Sequence, residues 1–271
     1  MPTTIAADKP LTPAFTPAEL EQFWRDGFAV VRQFTSRSTV EQMRAATEAG
    51  LAGPIEPVEY EADLHYPGAP TSRNEAGGFT IRRLKNAQAR HPIFTEWLSD
   101  PRLVTRLEQL LQGRVVMPMA HHNCIMTKHP DFSSETRWHQ DIRYWSFTRP
   151  ELVNAWLALG RETIDNGCLL VIPGSHRRSY SREQMDAALF LRDDLPENQP
   201  LIQTQQTVEL EPGDLLFFHA LTFHAAGRNL TRQTKYSAVF TFRRDDNLPL
   251  PGTRSSAMPE LILPAASGLP Q

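Results

Sequence analysis

Short runs of β-forming residues follow one another from about Val115 to Arg244, and they constrain the fold more than any other feature of the sequence. The runs include RVVMPMAH, HNCIMTK, WHQDIRYW, LVNAWLALG, CLLVIPG, TVELEPGDLLFFHAL and KYSAVFTFRR. Turn-forming sequences such as DNG, PGS and PGD separate them. Many short strands after a helical region predict a β-sandwich or barrel with helices packed outside it.

Helix signals dominate the part of the chain before these runs. Thr16 is a predicted N-cap, because Pro17 follows at the first helical position and Glu19 completes a capping box. The chain then offers a strand candidate, FAVVRQF. Two further helices are predicted, one capped by Ser38 and ending near Gly50, and one from Asp100 to Gly113.

No composition shift, flexible linker or internal repeat divides the 271 residues, so a single domain is predicted over residues 1–271. Within it we expect a helical part at about 11–113, a β core at about 114–244 and a C-terminal tail at 245–271.

Composition excludes several classes of protein. A net charge of -3, from 28 basic and 31 acidic residues, gives no basic excess for a nucleic-acid partner. No apolar run approaches the ~18 residues of a membrane span, and the start, MPTTIAADKPLTPAF, lacks the basic flank and apolar core of a signal peptide. Two cysteines are too few for a disulfide scaffold or a cysteine-based zinc site. We therefore expect a cytoplasmic protein.

The stretch RWHQDIRYWSF contains the first candidate for chemistry. Side chains alternate between the two faces of a strand, so His139 and Asp141 would project to the same side. His219 and His224, in FFHALTFHAAGRN, are candidates for a third metal ligand. Two histidines and one carboxylate on one face of an ion form the facial triad of non-haem Fe(II) oxygenases.

Two simpler interpretations compete with this one. A His-x-Asp pair occurs often in ordinary strands, and catalytic zinc in hydrolases also accepts two histidines with a carboxylate. An anion anchor would favour the oxygenase. Lys235 and Ser237 share one strand face, where an ammonium and a hydroxyl could hold the distal carboxylate of 2-oxoglutarate.

Motifs along the chain, including these residues, resemble those of a known family. The matching motifs are His139-Gln140-Asp141, Arg149-Pro150, Ala155-Trp156, Asn166-Gly167-Cys168-Leu169, Ile172-Pro173-Gly174-Ser175-His176, Pro212-Gly213-Asp214, Phe217-Phe218-His219, His224 and Asn229. In this order they closely resemble the phytanoyl-CoA dioxygenase family of Fe(II)/2-oxoglutarate oxygenases. The resemblance extends from about Leu11 to Arg244.

The resemblance implies a mainly β fold with flanking α-helices, around a double-stranded β-helix core of the jelly-roll, cupin-like type. By it, His139, Asp141 and His224 would bind Fe(II), while His219 would be a buried structural residue. It also implies hydroxylation of an unactivated C–H bond of a small molecule, with O2 consumed and 2-oxoglutarate decarboxylated to succinate and CO2. The carboxylate of Asp141 favours hydroxylation, because similar halogenases have a small residue there.

The family usually has an arginine eleven residues after the distal histidine, and this chain has Lys235 there. Lysine lacks the bidentate fork of arginine, and Arg232 is a rival anchor. We favour Lys235, which is in phase with Ser237. Further cosubstrate contacts implied by the resemblance are Trp156, Cys124 and Arg83.

The substrate is the least constrained part of the prediction, because a fold does not specify it. Arg143, Tyr144 and Trp145 are candidates for its wall, with Arg143 either binding an anionic group or forming a surface ion pair. The polar segment 176–205 is either a surface excursion or a lid. No CoA-specific motif is visible. A non-catalytic binding member of the same fold and a zinc-dependent hydrolase remain the alternative functions.

Overall fold

The computed structural model describes residues 14–266, so the expectations about a signal peptide and about both ends of the domain lie outside the described residues. The α-helices are α1 (Pro17–Asp26), α2 (Arg37–Ala52), α3 (Pro92–Leu98), α4 (Pro101–Leu111) and α5 (Gln199–Ile202). The β-strands are β1 (Phe28–Val31), β2 (Val58–Tyr60), β3 (Ile81–Lys85), β4 (Val115–Pro118), β5 (Asn123–Lys128), β6 (Thr136–His139), β7 (Leu152–Ala158), β8 (Leu169–Val171), β9 (Gln206–Val208), β10 (Leu215–His219), β11 (His224–Ala226), β12 (Lys235–Arg244) and β13 (Glu260–Ile262). Within residues 14–266, no helix has the length and apolar character needed to cross a membrane.

Two antiparallel sheets form the core of the described residues. The nine-stranded sheet has the central order β1-β10-β7-β12-β5-β3-β2, with β4 beside β12 and β13 beside β4. The four-stranded sheet has the order β6-β11-β8-β9. Apolar side chains of the large sheet, including Trp156 and Val239, pack against Leu169 and Val171 of the small sheet. This architecture is the predicted jelly-roll core.

The helices cover the outer face of the large sheet. Alternation along a strand turns Phe240 of β12 outward, while Val239 beside it faces the interior between the sheets. The outward face packs against Trp97 of α3 and Leu107 of α4. Side chains on both faces of β12 are therefore buried. The strand also lies in the middle of the large sheet, between β7 and β5.

The part of the chain before residue 114 contributes the predicted strand β1 and two strands that were not predicted, β2 and β3, to the large sheet. Strand β13 of the tail joins the same sheet. The basic run IRRLK is strand β3, whose alternate residues are buried. Helix α2 is capped by Ser36, whose hydroxyl accepts from Thr39 N, so the predicted cap at Ser38 is wrong. The helix also continues past Gly50.

Candidate active site

Neighbouring strands bring His139, Asp141 and His224 together. His139 is the last residue of β6, and His224 lies opposite it as the first residue of β11. Asp141 opens a 3-10 turn (Asp141–Tyr144) directly after β6, rather than continuing the strand as predicted. One potential ligand atom from each of the three side chains lies within 4.8 Å of the others. Asp141 Oδ1 is 3.7 Å from Nε2 of each histidine.

Both histidines are oriented by main-chain carbonyls. Nδ1 of His139 donates to the carbonyl of Arg137 at 2.8 Å, and Nδ1 of His224 donates to that of Thr222 at 3.0 Å. A proton on Nδ1 leaves the lone pair on Nε2, which faces Asp141. Burial lowers the pKa of both imidazoles, and Arg143 adds to the lowering at His139. The neutral imidazoles and the carboxylate therefore have the charge and orientation of metal ligands, and two nitrogen donors with one oxygen donor fit Fe(II).

Asp141 is held by two side chains that sequence reasoning missed. Asn154 of β7 donates to its Oδ2 at 2.9 Å, and Asn154 itself accepts from the hydroxyl of Thr241 at 2.6 Å. His122 Nε2 lies 3.1 Å from Asp141 Oδ1. Burial alone would raise the pKa of Asp141, but His122 and His224 lower it well below its usual range. Burial alone would lower the pKa of His122, but Asp141 raises it to about 9. Neither partner has a sequence motif, because Asn154 lies within β7 and His122 in the bend directly before β5, and only the fold brings them to Asp141.

His219 stands apart from the cluster, as the family resemblance implies. Its ring lies 5.4 Å from that of His176, and its Nδ1 accepts from the main-chain N–H of Leu221 at 3.1 Å. Burial lowers the pKa of His219 to about 3. The side chain is thus a neutral, hydrogen-bonded residue of the interior.

Two cavities meet at the metal-ligand cluster. The inner cavity extends between the sheets and is lined by Trp156, Leu169, Phe218, Lys128, Lys235 and Val239, among others. The outer cavity, of about 550 Å³, has the size of a small-molecule site. Arg83 lines both cavities, with its Nη1 3.1 Å from Glu59 Oε1, and Cys124 lines the outer one.

The predicted cosubstrate residues converge on a carboxylate of the protein itself. Glu162 Oε2 is 2.9 Å from Lys235 Nζ, and its Oε1 accepts from Ser237 Oγ at 2.7 Å and from Trp156 Nε1 at 2.9 Å. The glutamate is fully buried. This role of Glu162 was not predicted, because the residue lies in the polar turn GRET after β7. The rival anchor, Arg232, is exposed and lines neither cavity.

The three predicted substrate residues line the outer cavity. The guanidinium of Arg143 lies 3.9 Å from the ring centre of Phe190 and 4.5 Å from that of Tyr144. Its Nε is buried without a hydrogen-bond partner. Arg143 forms no ion pair within residues 14–266, and its guanidinium donates instead to the carbonyl of Ala188 at 3.3 Å and to the hydroxyl of Tyr66 at 3.4 Å. Trp145 packs on the imidazole of His121, with ring centres 4.8 Å apart.

The segment 176–205 is packed onto this region. Phe190 near its middle is buried, and its ring centre is 5.8 Å from that of His139. The main-chain N–H of Leu191 donates to the carbonyl of Trp138 in β6. The segment therefore forms part of the wall beside the metal ligands.

Known proteins resemble this chain in sequence over most of its length. The family model described as "Phytanoyl-CoA dioxygenase (PhyH)" matches residues 23–237. A probable phytanoyl-CoA dioxygenase of Caenorhabditis elegans is 29% identical over 189 residues, which are 65% of this chain and 59% of the relative. This chain thus spans less than two thirds of that relative's length. An ectoine dioxygenase of Halomonas elongata is 26% identical over 261 residues, covering 89% of this chain and 72% of the relative.

A solved structure shows the same fold. The crystal structure of EctD from S. alaskensis with 2-oxoglutarate and 5-hydroxyectoine superimposes with a TM-score of 0.71 at 21% identity. The match covers 95% of this chain and 88% of EctD. From the family match over most of its length, this chain belongs to the phytanoyl-CoA dioxygenase family of Fe(II)/2-oxoglutarate-dependent oxygenases.

Proposed function

We propose that this chain is an Fe(II)/2-oxoglutarate-dependent dioxygenase that hydroxylates an unactivated C–H bond of a small molecule. The observation that carries the proposal is the cluster of His139, Asp141 and His224, in which both Nε2 atoms face one carboxylate oxygen beside a cavity. Bound Fe(II) would couple the oxidative decarboxylation of 2-oxoglutarate, to succinate and CO2, with the hydroxylation by O2.

The protein's own residues supply orientation and shielding. Hydrogen bonds to Asp141 from Asn154 and His122 fix the carboxylate, so that its orientation does not depend on the ion. Arg83, at the junction of the two cavities, has the charge to attract the anionic cosubstrate towards the cluster. The apolar interior between the sheets limits the access of water to the reaction.

The outer cavity is the proposed substrate site. Its charge supports a substrate with an anionic group, because Arg143 presents a guanidinium that no carboxylate of residues 14–266 neutralises. Tyr144 and Trp145 add aromatic surface for an apolar part of the same molecule. We propose that Arg143 binds the anionic group while the C–H bond to be oxidised lies over the metal ligands.

The test compares two buried histidines. With Fe(II), 2-oxoglutarate and O2, the wild-type protein should form succinate slowly even without a substrate. His139→Ala should abolish this reaction, because it removes one of the three ligands. His219→Ala removes an equally buried imidazole outside the cluster and should retain most of the succinate formed per folded molecule.

Thermal unfolding measures the folded fraction of each variant, so that the rate of succinate formation can be expressed per folded molecule. Equal losses of succinate formation in the two variants would refute the ligand assignment. Wild-type protein that retains zinc and is indifferent to 2-oxoglutarate would instead support a hydrolase, and an absence of both metal and succinate would support a non-catalytic binding protein.

A further inference from the structure

The carboxylate of Glu162 already occupies the anion anchor predicted at Lys235 and Ser237. Its carboxylate accepts hydrogen bonds from Lys235, Ser237 and Trp156. Its main chain is fixed as well, because Glu162 and Leu210 exchange two hydrogen bonds of 2.8 and 3.0 Å. An incoming carboxylate at Lys235 would therefore meet a like charge in a buried site, which is unfavourable.

Lys128 is a second buried cation at the same end of the inner cavity. It lies directly opposite Lys235 in the pairing of β5 with β12, and both side chains line the cavity. Its Nζ donates to the main-chain carbonyls of Ser134, at 2.9 Å, and Gly227. An ammonium carries three N–H donors, so one donor remains beyond these two bonds.

Among the described residues around the inner cavity, the other cations pair with carboxylates and Lys128 does not. Arg82 pairs with Glu61 at 3.1 Å, Arg83 with Glu59 at 3.1 Å and Lys235 with Glu162 at 2.9 Å. Lys128 forms no ion pair with any carboxylate of residues 14–266. Burial, Arg82 and Lys235 lower its pKa well below the ordinary value of lysine, against the smaller opposite effect of Glu61 and Glu135. A buried cation without a partner is costly, and a bound anion would remove that cost.

We propose that Lys128 binds the distal carboxylate of 2-oxoglutarate, while Glu162 holds Lys235 as its internal counter-ion. This inference rests on the proposed function, because it assigns the anchor of that cosubstrate. The inner end of the cavity then carries two ammonium groups and two carboxylates once 2-oxoglutarate is bound, and its charges balance.

The test measures the binding of two 2-oxo acids to Fe(II)-loaded protein by calorimetry without O2. 2-Oxopentanoate has a methyl group in place of the distal carboxylate and serves as the matched ligand. Lys128→Met keeps the apolar stem but removes the charge, so the Kd for 2-oxoglutarate should rise about tenfold or more. The Kd for 2-oxopentanoate should not change, which also shows that the variant is folded and holds its metal.

A second variant reverses the effect. Lys128→Met with Glu162→Gln frees Lys235 and restores the net charge of the cavity, so 2-oxoglutarate should again bind as in the wild type. Wild-type affinity in Lys128→Met alone, equal weakening of both 2-oxo acids, or no recovery in the double variant would overturn the inference. Wild-type protein that binds neither acid would overturn the proposed function itself.

Discussion

At the residue scale, the environment of each side chain decides between roles that the sequence left open. His219 and His224 are five positions apart in similar apolar surroundings. Only His224 lies on the strand beside β6, opposite His139, whereas His219 ends β10 of the other sheet. The resemblance to a family implies that His224 and not His219 is a metal ligand, and the pairing of the strands places only His224 beside His139 and Asp141.

Other residue roles could not be read from the sequence. Glu162, Asn154 and Lys128 matter through partners that are distant in the chain. A polar residue within a β-forming run or a turn carries no local sign of what it will meet. Their roles follow only from the register of the sheets.

The charge of Arg143 leads to a prediction about the substrate. Anionic metabolites should stimulate 2-oxoglutarate turnover more than neutral analogues of the same size, because no carboxylate of residues 14–266 pairs with this guanidinium in the outer cavity. Arg143→Gln should raise the KM for an anionic substrate about tenfold, with little change in succinate formation without substrate. Turnover assays across a metabolite panel measure both quantities.

The control for this prediction is Arg161→Gln, which removes an exposed surface guanidinium paired with Glu211. It should leave the KM unchanged. If neutral analogues stimulate turnover as well as anionic ones, or if Arg143→Gln leaves the KM of an anionic substrate unaltered, Arg143 does not recognise the substrate.

At the scale of elements, the predicted strands after Val115 were mostly correct because their β-forming runs are bounded by turns. The capping box of α1 and the apolar stripe of α4 were equally readable. Some of the very short strands were missed. Strands β2, β11 and β13 have three residues each. They form because they pair with neighbouring strands rather than because of a β-forming pattern in their own sequence.

Strand β12 packs against the helices with one face and against the small sheet with the other. This arrangement leads to a prediction about stability. Phe240 is fully buried under the helices on the outer face of the large sheet. Phe240→Ala should lower the free energy of unfolding by about 3–5 kcal/mol, because it leaves a cavity. Urea denaturation followed by circular dichroism measures this loss.

Leu248→Ala is the matched control, because Leu248 is 54% exposed. It should change the free energy of unfolding by less than about 0.5 kcal/mol. A loss below about 1 kcal/mol in Phe240→Ala would mean that the helices do not depend on this face of the sheet.

At the scale of the whole molecule, the two sheets have distinct tasks. The small sheet and the turn after β6 position the three candidate metal ligands, while the large sheet supplies the charged end of the inner cavity. The fold class was predictable because many short strands after helices allow few architectures. The substrate was not, because the wall of the outer cavity is assembled from turns and from segments far apart in the sequence.

The proposed function requires that His139, Asp141 and His224 hold Fe(II) in a form that binds 2-oxoglutarate. The most direct measurement is an anaerobic titration of the wild-type protein with Fe(II) and 2-oxoglutarate, followed by visible absorption. We predict the metal-to-ligand charge-transfer band of a chelated 2-oxo acid in the wild type, and its loss in His224→Ala. An absence of the band in folded wild-type protein, or a band of equal strength in His224→Ala, would contradict the account.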